Sequence, residues 1–473
     1  MHVRLRPSRA AHPAACPSGW TVDASALECA ILRAFHTHGR SQRTLCMSLE
    51  APLAPAERLL TLPGHEIRVL WSPTPDEDHV GVGAAHVLIA TGEARFAIIR
   101  NAASQAFEDL AVIALEGDPA PDPQFVGGFS FQPARADDAL WQSFGDARFA
   151  LPRIAYTRHA ERAWLTLTAG AQELSSHAGR ARLAWEAAEA CKVLHRPRAG
   201  AAPDSGELSR IETAGDVWSE LVTGIRHEIA SSRLEKAVAV QCTVVRGTCL
   251  PPAALVLERL RTAAPDCVRF ALSVRDRTFL GASPERIVKR VGKRVWTEAV
   301  AGSISRDDPS DGESLLASEK DGIEHAIVAR EIRAVLEPLC ATLSAHGPEL
   351  LRLPHLAHLR TRFEGALEEP LHVLDLVARL HPTPAVGGAP QAAALAWIAA
   401  HEHVERGLYA GPFGAFDRAG NGEFIVAIRS GLLAASEAHL FAGAGIVAGS
   451  EAQGELRETR WKLRGLLAAL GVA

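Results

Sequence analysis

The chain lacks several features that would classify it at once. None of its eight cysteines forms a Cys-x-x-Cys pair or stands at zinc-finger spacing with histidine, so zinc ribbons and dithiol redox motifs are excluded. No uninterrupted apolar run approaches about 18 residues, which argues against a membrane-spanning helix. Basic excess is missing too: the net charge is -5, with no long like-charge tail to meet nucleic acid. No Gly-x-Ser-x-Gly elbow anchors a hydrolase triad, and there is no internal repeat. Residues 1–20 carry Arg4, Arg6, Arg9 and prolines but no apolar core, so they do not read as a secretory signal. Residues 1–24 read as a disordered start. Reduced thiols in a cytoplasmic protein are the expectation.

What is present is ordinary globular material. The chain has 473 residues, 47% hydrophobic and 22% charged, enough for roughly three domains or for one large α/β unit. Residues 25–195 alternate short apolar runs with turn signals and read as a β-rich scaffold. Val80–Leu88, Phe96–Ile99, Leu110–Leu115 and Phe149–Tyr156 are predicted strands, and Ala181–Leu194 a helix. Phe125–Phe131 is a strand broken by Gly127 and Gly128, which implies a bulge or a close backbone approach. Leu194–Leu208, rich in Pro, Gly and Ala, is the best linker. Beyond it, residues 205–473 are strongly patterned. Helices are predicted over Ala214–Ser231, Leu371–Leu380, Gln391–Ala400 and up to Leu470. Ser318–Cys340 is a long helix with an apolar stripe of Ile323, Ile327, Ile332, Val335 and Leu339. Strands are predicted at Lys236–Gln241, Arg269–Val274, Arg277–Leu280, Phe424–Leu433 and His439–Gly443, with a mobile polar loop at Ser303–Gly312.

Chemistry concentrates in this second part. Glu455, Glu458 and Lys462 stand at i, i+3 and i+7, on one helical face beside the glycine cluster Gly443, Gly445 and Gly449. Asp321 and Glu324 repeat the i, i+3 carboxylate spacing. Two such faces either clamp one hard cation, with oxygen donors suited to Mg²⁺ rather than zinc, or are a solvated face and an acidic helix start. Lys236 opens an apolar strand, as a strand-end lysine with a solvated head or as a desolvated general base. Glu285, after Ser-Pro, is a charged loop residue or a general acid. Arg429 falls in an apolar strand, opposite the face of Phe424, Val426 and Ile428, and needs an anion. Gly443-x-Gly445 with Gly449 is one residue off the dinucleotide fingerprint and has the wrong flanks for it.

The order of motifs carries a resemblance. Lys236, FLGASPER (279–286), TEAVAGS (297–303), SEKDGIEH (318–325), HLRT (358–361), HPTPAVGG (381–388), ERGLYAGPFG (405–414), AIRSGL (427–432), FAGAGIV (441–447) and ELRETRWK (455–462) resemble the chorismate-utilising enzymes, most closely the isochorismate synthases. Phe125–Phe131 and Trp141–Arg153 resemble the N-terminal part of that family. The resemblance implies a single large α/β domain, two stacked β-sheets flanked by helices, with a cleft at their junction. It implies Mg²⁺ as cofactor and chorismate as the partner molecule, in a monomer without nucleic-acid or membrane partners. By motif position Glu324 and Glu458 resemble metal ligands, and Asp321 and Glu455 second carboxylates of the same site. Arg429, Tyr409 and Lys462 match positions that hold substrate carboxylates, the Gly443 and Gly445 backbone matches their N–H donors, and Ser303 and His358 match the substrate pocket. Lys236 occupies the position of a water-activating base, where ammonia-using anthranilate and aminodeoxychorismate synthases typically carry glutamine. Glu285 matches the acid. Ala301 stands where aminodeoxychorismate synthases carry a lysine. The activity implied is isomerisation of chorismate to isochorismate. The alternatives are a salicylate synthase, which goes on to eliminate pyruvate, an anthranilate synthase component, and an inactive chorismate-binding subunit.

Overall fold

A computed structural model describes residues 21–39, 43–134, 139–196, 208–212, 215–310 and 312–472. Most of the predicted disordered start and of the predicted linker therefore lies outside the described residues. Asp23 belongs to the fold: its carboxylate caps the helix Ala24–His38 by accepting from Ser25 N at 2.8 Å.

The strands form one continuous hydrogen-bonded network rather than two separate sheets. Ala147–His159 is the junction. Along one edge it pairs with Glu77–Ala90, which leads through Ile67–Thr74, Val268–Val274, Arg277–Ser283, Ser430–Ala434 and Glu437–Ile446 to Lys236–Arg246. It also pairs with Phe125–Phe129, the start of a second run through Pro412–Phe416, Gly422–Val426, Arg286–Val291 and Arg294–Ser305. The second run packs on the first. Phe413 stacks against Trp71 with ring centroids 6.3 Å apart and lies tilted against Phe270 at 4.9 Å. The two expected layers are thus present, and joined at an edge. An aromatic core fills the space between them, with Phe125, Phe149, Phe279 and Phe416 fully buried. A second, aliphatic core lies under the helices Ala24–His38, His177–His195, Ala253–Ala263 and Ala452–Leu470. Among the described residues no helix is long and apolar enough to cross a membrane.

Several expectations are corrected. Phe96–Ile99 belongs to the helix Arg95–Glu108, whose buried side chains Arg95, Ile99, Ala103 and Phe107 recur every fourth residue. A four-residue apolar run could not reveal that longer period. The Ser318 helix spans Glu319–Leu336, and Cys340 already begins a strand; Pro338 stands in the short turn between them. Of the expected stripe, Ile327 and Ile332 are buried and Val335 and Leu339 half-buried against the core, while Ile323 is exposed; Glu324, Val328 and Leu336 complete the buried face. Phe424–Leu433 is two strands, Gly422–Val426 and Ser430–Ala434, separated at Arg429, whose φ is 53°. At Gly127 the close backbone approach holds: a Cβ there would meet Arg148 O at 2.0 Å, and the pairing with Ala147–His159 runs without a bulge.

Candidate active site

The strands Lys236–Arg246 and Glu437–Ile446 pair antiparallel, placing Val238 opposite Gly445 and Val240 opposite Gly443. The helices Glu319–Leu336 and Ala452–Leu470 bring their acidic first turns to the end of this pair where Lys236 lies. Ser318 caps the first by accepting from Asp321 N. The result is a cleft with about 640 Å³ of space counted out through its open mouth.

This cleft brings together Glu285, Ser303, Glu324, His358, Tyr409, Arg429, Gly443, Gly445, Glu458 and Lys462. Lys236, Asp321 and Glu455 lie next to these residues: Lys236 beside Glu324 and Gly445, Asp321 beside Gly302, and Glu455 one turn before Glu458. Lys236 is fully buried, with Nζ 2.9 Å from Glu324 Oε1. The approach lies off the hydrogen-bonding direction, so the ammonium has no acceptor with proper geometry. Asp321 accepts the Ser318 hydroxyl and lies against Gly302. Glu455 is held by Lys320 Nζ at 2.7 Å, a link between the two acidic helices.

Each carboxylate answers to its surroundings. Burial pushes the Glu285 carboxyl up to about 8; the nearby Glu298 charge adds to this, while Lys236, Lys462 and Arg429 oppose it. Burial would also raise Glu458, but Lys462, 2.6 Å away, outweighs it and holds this carboxyl below its ordinary value. Glu455 is raised by burial and by the charge of Glu458, and Asp321 by burial.

The cationic wall is equally defined. Lys462 Nζ donates to Gly443 O at 2.9 Å. Arg429 is fixed in a left-handed conformation, costing about 1–2 kcal/mol, by its own carbonyl, which accepts from Ala282 N at 3.2 Å. Its Nη2 lies 3.1 Å from His358 Nε2, and His358 Nδ1 lies 2.9 Å from Gly302 O and 3.0 Å from Ser303 Oγ. A guanidinium cannot accept and a carbonyl cannot donate, so His358 is neutral with its proton on Nδ1. Burial, then Arg429 and Lys462, press its pKa down to about 3. Tyr409 stacks on Phe441 with centroids 5.2 Å apart, and burial raises its phenol.

Glu324 and Glu458 are the cleft carboxylates that could hold a cation, one from each helix. Two hard oxygen donors fit Mg²⁺, which usually takes one or two carboxylates and leaves other positions to water and ligand. The bare Cα of Gly445 keeps the required space open, because a Cβ there would lie 2.1 Å from Glu324 Oε1. Among the described residues no three His, Cys, Asp or Glu side chains form a ready-made metal cage.

Sequence reasoning passed over Lys320 and Glu298. Lys320 stands at i−4 from Glu324 inside a quoted motif, and a search for counterions to the acidic pairs would have found it. Glu298 is a buried carboxylate in the strand Arg294–Ser305, a charge where a strand side chain faces the core.

A folded-back antiparallel network with a cleft built from two acidic helices, a buried lysine and a basic wall is the architecture of one enzyme class. The sequence model described as chorismate binding enzyme matches residues 31–471, and the chain belongs to that family. The chain is 35% identical to the salicylate biosynthesis isochorismate synthase of Pseudomonas aeruginosa over 436 residues, covering 89% of this chain and 88% of that protein. It is 35% identical to the isochorismate synthase MenF of Bacillus subtilis over 368 residues, 74% of this chain and 75% of that protein. Among solved structures, MenF, the menaquinone-specific isochorismate synthase from Escherichia coli, matches with a TM-score of 0.73 and 25% identity, covering 93% of this chain and 99% of that one.

Proposed function

We propose that the chain is an isochorismate synthase: water adds at ring carbon 2 of chorismate, the carbon 4 hydroxyl leaves, and the ring double bonds shift. The observation that carries this reading is a buried carboxyl in the cleft, Glu285, in a site that also holds the buried Lys236; burial favours the protonated form of Glu285. An acid and a base on one ring are what exchange of one hydroxyl for another requires.

Lys236, in its neutral form, takes a proton from the attacking water. Glu285 gives its proton to the departing hydroxyl, which leaves as water. Proton return to Glu285 and loss from Lys236 reset the site. Arg429 and Lys462 bind the two carboxylates of the substrate, with Tyr409 and the Gly443–Gly445 backbone at their side. Neutral His358, tied to Ser303 and Gly302, holds the Arg429 guanidinium in place without adding a charge. Glu324 and Glu458 would hold Mg²⁺, with Asp321 and Glu455 behind them, and the ion supplies neutralisation and fixed orientation of the ring carboxylate. General acid and general base assistance are each worth about 10²–10⁴-fold, and positioning supplies much of the rest.

Purified protein incubated with chorismate and Mg²⁺ should yield isochorismate alone. Pyruvate released without a second enzyme would make the chain a salicylate synthase, and no conversion would overturn the reading.

A further inference from the structure

The motif ERGLYAGPFG contributes Tyr409 to the cleft but leaves its arginine without a role. Arg406 is buried and makes a two-pronged pair with Glu402, Nε to Oε1 at 2.6 Å and Nη2 to Oε2 at 2.7 Å. Two further N–H groups go to backbone: Nη1 donates to Val386 O and Nη2 to Val238 O, both at 2.8 Å. Its guanidinium carbon lies over the Phe131 ring, 4.2 Å from the centroid. Glu402 in turn accepts from the Val240 backbone N–H.

These contacts fall on one strand edge. Lys236–Arg246 uses its other edge to pair with Glu437–Ile446. On this edge Lys236 and Ala237 pair with Ala389 and Gly388, and Val238 N donates to Gly387 O at 2.9 Å. From Val238 O to Val240 N the ion pair takes over, one member supplying a donor and the other an acceptor. Arg406 and Glu402 stand in for the missing strand. Val238 and Val386 both line the cleft, and Val238 is two residues from Lys236.

The structure assigns Arg406 and Glu402 as positioning residues: they clamp the Lys236 strand to the Val386 wall and so fix where the lysine ammonium stands. A buried ion pair is a poor choice for stability alone, because desolvating two charges offsets most of their attraction. A fork reaching two carbonyls and a carboxylate is a good choice for geometry. Lysine in its place offers one point charge and cannot span the same three acceptors. This inference rests on the reading of Lys236 as the base.

The test compares wild type, Arg406→Lys and Glu402→Gln as full-length proteins. Melting curves confirm folding, steady-state kinetics use chorismate and Mg²⁺, and mass spectrometry follows amide hydrogen exchange. Arg406→Lys should lower kcat about 10–100-fold, the scale of a small misplacement of a reacting group. KM should stay within about threefold, since Arg429 and Lys462 are untouched. Glu402→Gln keeps an acceptor for the fork and should give a smaller loss in the same direction. Both should speed exchange over residues 237–241. A folded Arg406→Lys with kcat within about twofold of wild type, or with unchanged exchange over 237–241, overturns the inference. If wild type itself fails to convert chorismate, the proposed function falls, while the exchange data still decide whether the pair holds this strand.

Discussion

A β-carbon on Gly445 would stand 2.1 Å from Glu324 Oε1 and 2.8 Å from Lys236 Cε. The glycine is the space in which that acid and that lysine meet. Gly445→Ala must displace one or both, and the extra methyl should destabilise the protein by about 1–3 kcal/mol. The expected signature is a folded enzyme with kcat/KM down at least about 100-fold. Melting curves beside steady-state kinetics check it; near-normal turnover would mean the contact is slack.

Lys236→Gln introduces the residue typical of the ammonia-using branch. Removal of a general base should cost about 10²–10⁴-fold in kcat. Calorimetric binding of chorismate should change by no more than a few fold, because the carboxylate anchors remain. A variant that retains turnover would remove Lys236 from the chemistry.

Glu285 predicts a pH dependence with a definite sign. As an acid it must be protonated, so the rate should fall as pH rises through about 8. Stability follows the same direction. Its folded pKa lies above its ordinary 4.5, so the stabilisation is complete below 4.5 and is lost as pH rises through about 8. Glu285→Gln carries no such dependence and should gain on wild type by up to a few kcal/mol between pH 5 and pH 9. Denaturant melts at the two pH values measure the difference; parallel behaviour of the two proteins would contradict the raised acid.

His358 should remain neutral well into the acid range. Its pKa of about 3 lies below the ordinary 6.5, so the stability it contributes is present above 6.5 and is lost as pH falls toward 3. Nitrogen-15 NMR of labelled histidine at pH 5 should show the Nδ1–H tautomer. A protonated ring at that pH would mean Arg429 is not donating to it.

Removal of divalent cations by exhaustive chelation should abolish turnover, and Mg²⁺ should restore it. Glu324→Gln and Glu458→Gln should each raise the Mg²⁺ concentration for half activity at least about tenfold. Calorimetry of Mg²⁺ binding provides a check that does not need turnover. Activity that survives chelation would count against a metal at these two carboxylates.

The cleft was largely legible because its chemistry needs particular residue types in a particular order. Glu285, Arg429, Glu458 and Lys462 could each be named from motif position, and they line one cleft. What stayed hidden depends on tertiary context. The pairs Lys236–Glu324 and Lys320–Glu455 join residues far apart in the chain, and no local pattern links them. Arg429 was expected inside a strand; its left-handed bend is set by Ala282 N and by the bare Gly281, where a Cβ would meet Arg429 O at 2.7 Å. Phe96–Ile99 taken alone has the pattern of a strand, because the buried positions Ala103 and Phe107, which complete the helical period, lie beyond the run.

The continuity of the strand network has a kinetic consequence. The two packed layers share the strand Ala147–His159, so they cannot swing apart like jaws without tearing backbone hydrogen bonds. Opening of the cleft then falls to side chains and short connections rather than to a hinge between the layers. Such motions belong to the nanosecond-to-microsecond range, faster than domain hinging. Admission of the substrate then leaves the shared strand and its pairings intact.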